Sequence, residues 1–182
     1  MTTIWFYNPF TYIAGARSLL VGWAIMLLTA FIAFFSHTLF NSTLGAQIGT
    51  MALPAGYLLA QLIAWGCPAL LFFFAGKIFS TSAIRFIDIA GTIALARAPM
   101  IFVALINFAM PPRIDLHRIS TDIIVVAFVS VVLSIWMVAL MYNAFRVSCN
   151  IRGAKGTMVF ITTLLIAEVI SIILCNFLQI NK

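Results

Sequence analysis

The sequence predicts an all-α integral membrane protein, a bundle of five transmembrane helices with an N-terminal interfacial helix. Three observations predict it. Of 182 residues, 64% are hydrophobic and only 8% charged, against about 25% charged in an ordinary soluble domain. Mean hydropathy is +1.18, and ten Lys and Arg with four Asp and Glu are too few to cover a water-soluble globule. The charges also leave long gaps: no Asp, Glu, Lys or Arg lies between Arg17 and Lys77, or between Asp122 and Arg146. Each gap exceeds the ~20 apolar residues that cross a bilayer.

The chain reads as a single membrane domain, 1–182. Residues 1–18 crowd Trp5, Phe6, Tyr7, Phe10 and Tyr12 before a lone Arg17. Aromatic rings with a polar edge favour headgroup depth, and Asn8-Pro9 suits a helix start, so this stretch is expected to anchor the first span as an interfacial helix. No positive n-region or cleavage site marks a removable signal. The first span is expected at about 19–40. Asn41-Ser42-Thr43 through Gly49, Pro54 and Gly56 then form a short, turn-rich connection. The second span, 57–76, contains Pro68, tolerated in membrane helices when neighbours satisfy the backbone group it frees. The fourth and fifth fall at 123–145 and 156–178. The third, 84–110, holds Arg85, Asp88, Arg97 and Pro99 and admits two readings: one kinked span, or an amphipathic helix followed by a shorter span from near Arg97.

Loop charges decide for a crossing. With the N-terminus in the cytoplasm, Arg17, Lys77, Arg85, Arg146, Arg152 and Lys155 lie inside, and Arg113, Arg118 and Lys182 outside. A re-entrant third segment would move Arg146, Arg152 and Lys155 outside and break the positive-inside bias. Five spans with the C-terminus outside follow.

Ionisable groups within a span are costly and usually functional. Glu168 near the middle of the fifth span and Arg97 beside Pro99 form the candidate intramembrane polar pair. They read either as an ion or proton relay, or a grip on a substrate headgroup, or as a structural pair fixing helix packing. Lys77, Arg85, Arg146, Arg152 and Lys155 make a basic rim suited to anionic lipid or a partner protein, or serve only to orient the chain. Small residues recur at Ala14, Ser18 and Gly22, and at Ala90, Ala94 and Ala98, a spacing that lets helices approach closely in lipid.

The exclusions are as informative. The basic residues form no run, which argues against nucleic acid. No Walker loop or HExxH occurs, and His37 and His117 stand alone, so no metal site is expected. Cys67, Cys149 and Cys175 have no framework spacing and read as packing residues. With Asp88, Asp115, Asp122 and Glu168 the only acids, no nucleophile–base set is visible. The chain is therefore expected to be neither an enzyme nor a cofactor carrier.

Several segments resemble the Yip family (the Ypt/Rab-interacting-protein domain) in its bacterial branch: Tyr7-Asn8-Pro9-Phe10, Ala96-Arg97-Ala98-Pro99, Met141 to Ser148, and Gly153-Ala154-Lys155-Gly156 before a last span with Ala167-Glu168. The resemblance implies a five-span bundle with a cytoplasmic N-terminus, here in a bacterial cytoplasmic membrane. Eukaryotic relatives act in vesicle trafficking through Rab-type GTPases; this chain lacks their long hydrophilic N-terminal region, which argues against GTPase binding. Some bacterial relatives are tied to ABC-type export. The expectation is a scaffold or accessory subunit in the lipid bilayer, joined to a partner membrane protein or assembled as a homo-oligomer. The alternative is a small transporter or channel using the Arg97–Glu168 pair.

Overall fold

The structure, a computed structural model, describes residues 9–13, 15–49, 51, 53–110, 121–151 and 153–178. Within them, five helices are long and apolar enough to cross a membrane. They are α1 (Gly15–Phe35), α2 (Pro54–Phe79), a composite third, α5 (Thr121–Cys149) and α6 (Gly153–Phe177). The third, Phe86–Ala109, comprises α3 (Phe86–Ala96), α4 (Met100–Ile106) and a closing 3-10 turn, Asn107–Ala109. The only sheet among the described residues is a two-residue antiparallel ladder, β1 (Thr38–Leu39) with β2 (Gln47–Ile48). The fold is an all-α polytopic bundle.

At the N-terminus, Pro9 opens a single 3-10 turn, Pro9–Thr11. Of the expected interfacial helix 1–18, residues 1–8 and 14 lie outside the described residues, as do Arg113, Asp115, His117, Arg118, Arg152 and Lys182. Gly15 to Ser18 form the first turn of α1 instead, four residues before the expected start of the span at 19.

The third segment crosses as one broken helix. Pro99 has no N–H to donate, and around it the chain tightens into i→i+3 bonds: Arg97 N to Ala94 O (3.3 Å), Met100 N to Arg97 O (2.9 Å) and Phe102 N to Pro99 O (3.1 Å). This segment, which carries Arg97 at mid-length, is also the most enclosed. Of its most apolar stretch 72% is buried, against 17–44% for the other four. The reason is physical: a guanidinium at mid-depth needs protein on every side, whereas α5, free of charge between Asp122 and Arg146, can face lipid, and α6 turns only its Glu168 side to the loop.

Small residues bring α1 onto α3. A Cβ at Gly22 would stand 2.6 Å from the Ala94 Cβ and the Leu95 N; one at Gly91 would stand 2.5 Å from Ser18 Oγ and 2.8 Å from Gly15 O. Only glycine permits that approach. Gly76 similarly admits Cys149 Sγ, 2.9 Å from where its Cβ would be. Below it Phe72, Phe145 and Phe160 cluster with centroids 5.1–5.9 Å apart.

Because the helices alternate, the start of α1, α3 and α6 and the end of α2 and α5 share one end of the bundle. Arg17, Lys77, Arg85, Arg146 and Lys155 all lie there, exposed. Three sit over rings: Lys77 Nζ over Phe73 (5.5 Å), Arg146 over Tyr142 (5.5 Å) and Lys155 Nζ over Phe79 (5.7 Å). The small sheet occupies the opposite end.

Helix α1 stops at Phe35, five residues short of the expected limit at 40. His37 adopts a left-handed φ of 52°, which ends the helix and turns the chain back. Residues 36–49, expected from Asn41 onward to be a short, turn-rich connection, fold inward: Ser36, Thr38, Leu39, Phe40, Ser42 and Thr43 are buried.

Candidate functional site

Non-helical backbone inside a bilayer is stable only if protein satisfies its N–H and C=O groups. The inward-folded segment Asn41–Gly45 meets this condition, and its partners are the two charges singled out in the sequence. Arg97 Nη1 donates to Thr43 O at 2.7 Å. Glu168 accepts from Ser42 Oγ through Oε1 and from Leu44 N through Oε2, both at 2.8 Å. Between them Thr43 N donates to Ser171 Oγ (2.9 Å), and Ser171 Oγ donates to Glu168 O (2.9 Å). Ser42 Oγ also receives Gly45 N at 2.7 Å, closing a tight local turn.

Arg97 and Glu168 thus approach opposite sides of one peptide segment, and no hydrogen bond joins them directly. Glu168 lies nine residues from Phe177 and Ala64 ten from Pro54, depths of about 14 and 15 Å at 1.5 Å per residue. Centred helices of 25 and 26 residues overhang a ~30 Å hydrocarbon layer by about 4 Å at each end, so the segment reaches about 10 Å into that layer.

Arg97, only 2% exposed, has a second task. Pro68 in α2 cannot donate to the carbonyl four residues earlier, Ala64 O. Arg97 Nη1 donates to that carbonyl at 3.1 Å, while Nη2 reaches Gln61 Oε1 at 3.4 Å. One guanidinium nitrogen, Nη1, satisfies a proline-broken helix and a re-entrant loop together, and the fork's second nitrogen, Nη2, adds the contact to Gln61. Arg97 Nε and Gln61 Nε2 are buried without a protein partner.

The rest of the loop is fastened from its own end. Asn107 Nδ2 donates to Thr38 Oγ1 (3.0 Å), which shares a hydrogen with Ser36 Oγ (2.8 Å). Tyr57 OH donates to Gly49 O and accepts from Met51 N, each at 3.2 Å.

Lys77, Arg85, Arg146 and Lys155 stand at the basic end, well away from this centre, and the structure brings none of them to it. Ser42, Thr43, Gln61 and Ser171 were not singled out in the sequence. One signal was available: Ala64 stands four before Pro68, so a donor was required near α2. No group of three or more His, Cys, Asp and Glu able to hold a metal occurs among the described residues.

These features define a polytopic helical membrane protein whose first loop is folded into the centre of its own bundle. The Yip1 domain family model matches residues 5–175, nearly the whole chain, and the chain belongs to that family. No curated protein and no solved structure matches it.

Proposed function

We propose that this Yip1-family chain is a non-enzymatic membrane scaffold or accessory subunit, docking a partner membrane protein through its basic end. The observation that carries the reading is a division of labour among the charges. Arg97 and Glu168 are committed to the chain's own backbone, while Lys77, Arg85, Arg146 and Lys155 are exposed together at one end. Three of those cations rest on rings at the helix ends, which suits the headgroup layer. We place that end, and the N-terminus, on the cytoplasmic side of a bacterial cytoplasmic membrane. An ABC-type exporter is the partner suggested by the sequence resemblance.

Purification in mild detergent tests the docking. A partner that co-purifies with the native chain and is lost from the Arg146→Glu, Lys155→Glu variant supports it; a chain that never carries a partner sinks it. Sidedness is tested by Lys155→Cys, since Cys67, Cys149 and Cys175 are buried. In right-side-out vesicles an impermeant maleimide should leave the new thiol unlabelled, and labelling before lysis reverses the orientation. The transporter reading draws less support, because the groups that would line a path hold the loop across it. Flux in liposomes that Glu168→Gln abolishes would restore that reading.

A further inference from the structure

Helix α5 packs through one half only. Met137, Leu140, Met141, Ala144, Phe145 and Cys149 are buried, whereas of its first half only Val126 is. The first half therefore stands off from α4 and the inward-folded loop, leaving a lateral groove of about 910 Å³. This lies within the ~300–1,000 Å³ range of small-ligand sites. Its walls include Leu44 and Gln47 from the loop, Val103 and Asn107 from the third span, and Ser130 and Ser134 from α5.

We propose that this groove binds one diacyl glycerophospholipid, with its glycerol ester region at Ser130 and one acyl chain along the groove. The medium at the mouth is fixed by the rest of α5: Ile124, Val125, Phe128, Val132 and Ile135 are exposed and apolar, so what reaches the groove is lipid. Among the described residues no ionised side chain lines it, so the element they recognise is neutral and polar, as an ester carbonyl is, with the phosphate at headgroup level. Depth agrees. Ser130 is nine residues into α5, about 14 Å from its end. That helix spans 29 residues, about 43 Å against a ~30 Å hydrocarbon core. Centred, it overhangs by about 6–7 Å at each end, placing Ser130 roughly 7 Å below the interface. The Ser134 hydroxyl is spent on its own helix, donating to Ser130 O at 2.9 Å. Ser130 Oγ has no protein partner among the described residues and is the donor for the ester. Leu44 links the groove to the polar centre, lining the one while its N–H donates to Glu168 in the other.

The site is at the opposite end from the basic rim, so this inference stands independently of the scaffold reading. The test is native mass spectrometry of protein reconstituted in phosphatidylethanolamine–phosphatidylglycerol vesicles and re-extracted in mild detergent. The native chain should retain one phospholipid. Ser130→Ala should weaken retention about fivefold, the loss of one hydrogen bond. Ala127→Trp, which fills the groove, should cut it at least about tenfold. Val132→Trp, on the exposed face outside the groove, should retain lipid as the native chain does. Circular dichroism establishes that each variant is folded, and Ser130→Ala keeps the test open if the tryptophan variant is not. A folded native chain that retains no phospholipid overturns the proposal, as does a folded Ala127→Trp that retains it fully. Quantitative chain-to-chain crosslinking of Ser130→Cys in the same vesicles would put a second copy in the groove and overturn it equally.

Discussion

Replacing Arg97 with Met is expected to cost about 3–5 kcal/mol of stability, the range seen when one member of a buried charged network is removed. The substitution preserves much of the volume but leaves Thr43 O, Ala64 O and Gln61 Oε1 without their donor. In lipid none of them can turn to water. It also leaves Glu168 as the only charge in the centre. Arg97→Lys should fall between, because one ammonium can replace Nη1 at the two carbonyls but has no second nitrogen for Gln61 Oε1. Thermal unfolding in a fixed detergent, followed by circular dichroism, measures the series. A companion change makes the assignment specific. Pro68→Ala restores an N–H that can bond Ala64 O within α2, so it should be neutral alone and should recover about 1 kcal/mol in the Arg97→Met background. Full additivity of the two changes would show that Arg97 does not serve that carbonyl.

How much of this was legible in the sequence depends on the range of the interactions concerned. Membrane crossing is set by local composition, and the gaps between Arg17 and Lys77 and between Asp122 and Arg146 marked their spans directly. Loop-charge counting kept the third segment as a crossing despite Arg97 and Pro99. The family was legible from short segments spread over the chain. What composition could not carry was the course of residues 36–49. Ser42, Thr43 and Gly45 read as ordinary turn chemistry, and the same residues serve equally well on a surface or inside a protein. Only their partners distinguish the two, and those stand 54 and 126 positions away, in Arg97 and Glu168. Arg97 and Glu168 could be flagged as expensive from their positions alone. That each bonds a loop backbone rather than the other required the fold. The groove beside α5 was illegible for a related reason: a uniformly apolar helix does not record which half of it stands free.

Gly91→Val is expected to be as damaging as loss of Arg97, through packing alone. At Gly91 an added Cβ meets Gly15 O and Leu19 N at 2.8 Å, both backbone atoms of α1. A side-chain obstacle could rotate away, but backbone cannot yield unless α1 moves as a body. Overpacking usually costs 1–3 kcal/mol; with backbone on the far side, about 3 kcal/mol or more is expected. Displacement of α1 would reach the polar centre, since α1 leads at Phe35 directly into the loop that Arg97 and Glu168 hold. Gly22→Val should behave alike, its Cβ falling 2.6 Å from Leu95 N. The control is Gly66, also in a membrane helix but with nothing within 4 Å of its Cβ position. Gly66→Ala should therefore leave the melting temperature unchanged or raise it, because alanine restricts the unfolded chain more than glycine does. Unfolding temperatures for the three variants in one detergent decide the matter. If Gly91→Val melts with the native protein while Gly66→Ala does not, the α1–α3 contact is not the close seam described and the bundle is organised around another pair of helices.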